Sequence, residues 1–226
     1  FQMHRAASTG QPGVLTEVGL GTYADPRLEG AKMNAVTDDF IELMQIDGND
    51  YLFYPAVHVD VAIIRATTAD PHGNLSYEEE CSTLGALDQA YAAHNKGGIV
   101  IAQVKRLSQG QLPTQDVHIP GILVDAIVVD PDQMQTTQTF YDPALSGETR
   151  RDLDDVEPVA FGLEKVIARR AAAELQVNAI VNLGFGISAA IPRVLLEEGH
   201  ADDVTWVIEQ GAVGGFPATG FAFGCA

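Results

Sequence analysis

The 226-residue sequence predicts an α/β protein built as two open-sheet units, and three observations carry that reading. β-branched apolar runs of strand length recur along the chain, and segments of helical spacing stand between them. Between Gln133 and Glu157 the periodicity stops and Gln, Thr, Asp, Pro and Gly take over. A stretch of that length without periodic structure marks a linker or a long loop. The boundaries are therefore set at 1–132 for the first unit, 133–157 for the linker and 158–226 for the second unit.

Taken in order, the opening residues read as the end of a helix, and "GVLTEVGLG" as a strand running into a glycine turn. "DPRLEGAKMN" is rich in turn formers. "DFIELMQIDGNDYLFYPAV" is two extended runs joined at Asp47-Gly48-Asn49, the signature of a hairpin with a turn of two or more residues. "VDVAIIRATTAD" is a near-continuous buried strand. Ser82 to His94 places Leu84, Leu87, Ala90 and Tyr91 at helical spacing and closes on Gly97-Gly98. The strands "IVIAQVKRL" and "DAIVVD" follow, the second ending at Pro131. Beyond the linker come the amphipathic helix "GLEKVIARRAAAEL", the strand "AIVNL", the helix "SAAIPRVLLEEG" with Pro192 in an early turn, and the strand "VTWVIE". Helix, strand, helix, strand implies parallel pairing through crossovers.

Composition narrows the function classes. With 46% hydrophobic and 19% charged residues the chain has the apolar content of one large domain or two small ones. The formal charge is −18, from 31 acidic against 13 basic residues, and the basic ones form no stripe able to neutralise a phosphate backbone, which speaks against a nucleic-acid partner. Acid-rich segments such as "RDLDDVEP" read as solvated faces, although a Lys-poor acidic surface also fits high salt. No run approaches the ~18 apolar residues of a membrane helix, and the start has no signal-peptide core, so a cytoplasmic protein without membrane contact is expected. Cys81 and Cys225 are expected as free thiols, because they are far apart and lack a His at metal-ligand spacing.

Glu209 is the best isolated reactive group. It ends the apolar run Val204–Ile208 and is followed by Gly211, Gly214 and Gly215. Ligands of open α/β sheets bind at the carboxyl ends of strands, and glycines let another group approach closely. The bland alternative is a solvated strand-end Glu whose glycines only turn the chain. Gly184-x-Gly186-x-x-Ala189 between a strand and a helix also matches a dinucleotide fingerprint, with Glu209 near the place of a ribose-binding acid. Against that rival, a dense glycine run follows the acid and nothing upstream begins a nucleotide fold. The loop still suits an anion, since free amides and a helix dipole face it. Glu78, Glu79 and Glu80 are adjacent, so they fan out and read as a helix N-terminal charge cluster rather than a metal site. The six histidines show no ligand spacing, and neither a Gly-x-Ser-x-Gly elbow nor a Walker loop is present.

Together "PGVLTEVGLGTYADPRLEGAKMN", "ATTADPHGNLSYEEE", "VVDPDQ", "VIARRAAAELQVNAIVNLGFGI" and "VTWVIEQGAVGGFPATGFAFG" resemble, in the same order, the family I coenzyme A transferases. The likeness is greatest to the single-chain acetate/propionate type, in which two homologous α/β halves are fused. The resemblance implies CoA-transferase-like α/β units, both incomplete here: residues 1–132 as the C-terminal part of the first domain and 158–226 as the N-terminal part of the second. It implies transfer of coenzyme A from a short-chain acyl-CoA to a carboxylic acid, with Glu209 as a nucleophile that forms a glutamyl-CoA thioester. No metal or redox cofactor is required, coenzyme A being a substrate, and a homo-oligomer is expected. Asn182, Gly184 and Gly186 match the family's loop near the active site, as do Gly211, Gly214 and Gly215 after the nucleophile; Gly19, Gly21 and Thr22 match a loop of the first half that faces it. Two departures stand out: Gly30-Ala31 replaces a paired glycine before Lys32, and "EEEC" replaces a more Lys-rich segment. Family members extend beyond both ends of this sequence, so the resemblance implies that residues 1–226 alone are inactive or fold poorly.

Overall fold

A computed structural model describes residues 1–225, without the side chains of Phe221, Gly224 and Cys225. The free thiol expected at Cys225 therefore lies outside the described residues, whereas Cys81 is a half-buried thiol. The chain divides into two compact units: Phe1–Tyr77 with Thr83–Pro131, and Glu78–Ser82 with Asp132 onward.

The first unit holds two sheets. Strands β1 (Gly13–Thr16), β2 (Glu42–Ile46) and β3 (Asn49–Pro55) form an antiparallel sheet in the order β1-β3-β2. The β2–β3 turn is the two residues Asp47 and Gly48, both at positive φ (50° and 79°), and Ile46 pairs with Asn49. That is the backbone twist a tight hairpin demands, and Asp-Gly supplies it at least strain. The second sheet has the order β5-β4-β6-β7, from β4 (Val61–Ala69), β5 (Leu75–Ser76), β6 (Ile99–Leu107) and β7 (Ala126–Val129). β4, β6 and β7 run parallel, and the short β5 is antiparallel to β4.

Helix α1 (Gln2–Ser8) packs on helix α2 (Ala86–His94), which crosses one face of the second sheet. Ala86, Ala90 and Ala93 meet Ala62, Ala66, Val100, Ala102 and Val104 in one buried cluster. Small residues on both sides let helix and sheet approach closely. α2 begins four residues later than the spacing from Ser82 predicts, because Leu84 and Gly85 take φ of +48° and +70° and a right-handed helix cannot pass through them. Glu78, Glu79 and Glu80 are consequently not at a helix N-terminus. They lie in a turn, where the Glu80 carboxylate accepts from Gln133 and the Glu79 carbonyl from Gln135.

The β4–β5 turn is wound on Asp70, 3% exposed. Its carboxylate accepts from the His72 N–H (2.8 Å), the Asn74 N–H (3.0 Å), Asn74 Nδ2 (2.9 Å) and the Leu112 N–H (3.2 Å). Burial pushes this carboxyl up, but the bonds from Asn74, Leu112 and His72 outweigh it and hold the group below the ordinary carboxylate value. Gly121 closes the turn by donating its N–H to Asn74 Oδ1 at 2.8 Å.

In the second unit β8 (Ala179–Leu183) and β9 (Val204–Ile208) pair in parallel. α3 (Leu163–Ala172) and α4 (Ile191–Glu197) pack together, the latter entered through a 3₁₀ turn at Ile187–Ala190 with Pro192 in its first turn, where its missing N–H is no loss. The core gathers Trp206, Phe223, Leu183, Ile208, Val194 and Ala168. Glu197 joins the helices: Lys165 pairs with its carboxylate and the Val159 N–H donates to it at 2.7 Å, which together keep it below the ordinary value.

A methyl group at Gly121 would stand 2.0 Å from the His72 carbonyl oxygen and 2.7 Å from the Gly73 carbonyl carbon, both backbone atoms. Gly121→Ala is expected to destabilise the first unit by about 2 kcal/mol, read as a lowered denaturant midpoint at unchanged m-value. An unchanged midpoint would show that the turn yields freely.

Candidate active site

Alternation along β9 buries Val204, Trp206 and Ile208, and Glu209 is the first residue past the strand. Its position is set by register. Ala179 pairs with Val204 and Leu183 with Ile208, so β8 and β9 end flush. Gly184 and Glu209 therefore leave the sheet side by side at the carboxyl ends of two parallel strands, the place where α/β sheets present ligands.

The Phe185 N–H donates to Glu209 Oε2 at 2.9 Å, and Gln210 Nε2 donates to Oε1 at 3.2 Å. A Cβ on Gly184 would meet Oε2 at 3.4 Å, about an ordinary contact, which shows how close the carboxylate lies to the Gly184 backbone. Gly184 also accepts from Ser188 Oγ at 3.1 Å. Gly186 is extended, at φ 179°, and needs no glycine for its conformation. Asn182 is exposed on β8, opposite Val207.

After Glu209 the chain doubles back on β9. The Gly211 N–H donates to the Ile208 carbonyl (2.8 Å), the Ile208 N–H to that of Ala212 (3.1 Å) and the Gly214 N–H to that of Trp206 (2.9 Å), while Val213 pairs antiparallel with Val207. Gly211, Gly214 and Gly215 take φ of +100°, +83° and +70°, which side chains rarely tolerate. These glycines turn the chain sharply enough to leave the carboxylate exposed at the sheet end.

Gly19, Gly21 and Thr22 lie in the first unit, in a loop organised around Asp25. The Gly21 N–H donates to Asp25 Oδ2 at 2.8 Å, and Thr22 Oγ1 to the Gly19 carbonyl at 2.7 Å. Asp25 is 1% exposed and paired with Arg27, whose Nη2 stands 2.7 Å from Oδ2 and whose Nη1 also reaches Asp50. The Arg27 guanidinium, with the N–H groups of Gly21 and Arg27, holds the Asp25 carboxyl well below the usual range. Gly19, at φ +104°, lies where a side chain would strike the Tyr54 hydroxyl, itself bonded to the Val18 carbonyl at 2.9 Å.

Sequence reasoning missed Phe185, Gln210 and Asp25. Phe185 acts through a backbone amide, which every residue but proline has. Gln210 had only its adjacency to Glu209 as a signal. Asp25 had its spacing to Arg27. Among the described residues, no group of three or more His, Cys, Asp or Glu side chains is arranged to hold a metal ion, and no helix is long and apolar enough to cross a membrane.

The family model for coenzyme A transferase matches residues 1–130, more than half of the chain. The chain belongs to the coenzyme A transferase family. It is 44% identical over 220 residues to a caffeate CoA-transferase of Acetobacterium woodii, covering 95% of this chain and 42% of that protein. It is 42% identical over 230 residues to the acetate CoA-transferase YdiF of Escherichia coli strain K12, covering 99% of this chain and 43% of that one. Among solved structures, the YdiF acyl-CoA transferase apoenzyme from E. coli O157:H7 superposes with a TM-score of 0.87 at 41% identity, over 95% of this chain and 41% of that one. The YdiF thioester complex with CoA gives 0.88 at 41% identity, over 96% and 44%. The chain thus spans less than half the length of these relatives.

The Asp25 anion supports the glycine loop only while it is ionised. Its stabilising effect is complete above the unfolded carboxyl value, about pH 4, and is lost as pH falls through the lower folded value. Hydrogen exchange at the Gly21 amide is expected to depend on opening uniformly between about pH 6 and 8, and protection should fall away below about pH 4. In Asp25→Asn that acid-induced loss should vanish, with protection lower throughout. An unaltered acid profile in the variant would place the cause elsewhere.

Proposed function

We propose that this CoA-transferase family member moves coenzyme A from a short-chain acyl-CoA to a carboxylic acid, with Glu209 as the covalent nucleophile. The observation that carries the proposal is the bond from the Phe185 N–H to Glu209 Oε2 at the flush ends of β8 and β9. A carboxylate fixed by one oxygen presents the other for attack.

The chemistry balances without a metal or redox step. Glu209 attacks the acyl-CoA carbonyl, the carbon–sulfur bond breaks, and CoA leaves as thiolate, giving an acyl-glutamyl anhydride. The thiolate then attacks the Glu209 carboxyl carbon, forming a glutamyl-CoA thioester and releasing the first acid. A second acid reverses both steps and departs as its CoA ester, a ping-pong cycle. In each tetrahedral intermediate at the glutamyl carbon, negative charge gathers on Oε2, where the Phe185 N–H is already aimed. In this scheme Asn182 near the end of β8 and Gly184 and Gly186 in the strand-to-helix loop stand beside the nucleophile, and Gly211, Gly214 and Gly215 hold its turn. The thioester complex with CoA in the related YdiF enzyme supports the covalent route. The names of the relatives, acetate and caffeate CoA-transferase, support monocarboxylic acids as acceptors, and acetate or propionate is the proposed choice. A homo-oligomer is part of the same proposal.

The rival use of Gly184-x-Gly186-x-x-Ala189 as a pyrophosphate cradle is disfavoured by the same bond: the loop amide at Phe185 is occupied by a carboxylate, which repels a phosphate.

In the full-length protein, Glu209→Gln and Glu209→Ala are each expected to lower transfer by at least about 1,000-fold. Incubation with acetyl-CoA followed by borohydride or hydroxylamine trapping should modify the unsubstituted protein at Glu209 alone, seen by intact mass and peptide mapping. Transfer that survives both substitutions would refute the assignment.

A further inference from the structure

The two oxygens of Glu209 are held unequally. Oε2 accepts from the Phe185 N–H at 2.9 Å, a donor fixed at the end of β8, whereas Oε1 accepts from Gln210 Nε2 at 3.2 Å, a donor on a rotatable side chain. A hydrogen bond lowers the nucleophilicity of the oxygen that receives it, so the oxygen whose partner can turn away is the one that attacks. We infer that Oε1 is the attacking oxygen and that Gln210 is a catalytic residue whose carboxamide supports that oxygen as it leaves. This rests on Glu209 being the nucleophile.

The role follows from tracing the atoms. Once Oε1 has added to the acyl carbon it becomes the bridging oxygen of the anhydride, and Oε2 remains the glutamyl carbonyl oxygen. When the CoA thiolate adds to the glutamyl carbon, the carbon–sulfur bond forms and charge moves onto Oε2. Collapse of that intermediate breaks the bond between the glutamyl carbon and Oε1. The electron pair goes to Oε1, which departs within the carboxylate product. Phe185 serves the oxygen that stays, and Gln210 serves the oxygen that goes. A carboxamide suits this role because it offers a neutral donor to a developing anion and, unlike a Lys, does not hold the departing acid by a full charge. The Gly211 N–H bond to the Ile208 carbonyl at 2.8 Å fixes the turn in which Glu209 and Gln210 sit, so the donor begins within reach of its oxygen.

Single-turnover rapid quench with acetyl-CoA in the full-length protein, following appearance of the trapped thioester at Glu209, tests this role. Gln210→Ala should slow it by about 10- to 100-fold, with the acetyl-CoA KM changed by less than about two-fold. Gln210→Met keeps the length and apolar stem but not the donor and should be equally slow. In the free protein the ¹³Cδ resonance of Glu209, assigned by its loss in Glu209→Gln, should move in both variants while the Phe185 amide resonance holds. Wild-type thioester rates in Gln210→Ala, or rates restored by Gln210→Met, would overturn the role of the carboxamide while leaving Glu209 as nucleophile. Absence of any trapped adduct in the unsubstituted protein would overturn both.

Discussion

The candidate site depends on the parallel pairing of two five-residue strands. Because Ala179 stands opposite Val204 and Leu183 opposite Ile208, β8 and β9 finish at the same level, and the first residue beyond each emerges at one spot. A slip of one residue would send Glu209 to the other face and bury a carboxylate where Trp206 and Ile208 now pack. The apolar alternation of β9 fixes the register, and the register brings the Phe185 N–H to Glu209 Oε2. The geometry around Glu209 is therefore held by the core of the second unit, in which Trp206 is 2% exposed and Val194 fully covered.

Acid residues serve opposite ends across the two units. Asp25, Asp70 and Glu197 are stabilised as anions by several donors each, and that is why their carboxyls are depressed and why each can organise a loop or join two helices. Glu209 has two donors and stands exposed, so its carboxylate is held by fewer partners and keeps access to solvent. A chain with formal charge −18 thus uses a few of its carboxylates as structural anchors, and among the described residues Glu209 is the one at the flush ends of β8 and β9 with a backbone amide on it.

The fold was legible where local chemistry is decisive. Asp47-Gly48 marks its turn because few other pairs accept two positive φ angles, and the β-branched apolar runs at 61–69, 99–107 and 204–208 mark strands, although the near-continuous burial expected of the first is not observed: Val61 and Ile63 are exposed. The start of α2 was misread because Leu84 continues the helical spacing of its neighbours, and only the backbone reveals that it sits at φ +48°. In the same way the three glutamates at 78–80 looked like a helix cap, although they belong with the second unit and bond to Gln133 and Gln135.

By itself the sequence determined the class of fold and the family, and it singled out Glu209 as the group to watch, because an acid closing an apolar run before several glycines stands where open α/β sheets bind ligands, although a solvated turn would carry the same residues. It also determined the sharp turn after that acid, since Gly211, Gly214 and Gly215 adopt angles other residues avoid. The tertiary structure decided which atoms meet the carboxylate. Phe185 contributes an amide that leaves no trace in composition or spacing, and Gln210 reaches Oε1 only because the turn fixes where its side chain begins. Asp25 becomes an anchor for the Gly19–Thr22 loop only when that loop wraps around it. Side-chain identity is written in the sequence, but the partner of a backbone amide is set by strand register, and register is a property of two segments packed together.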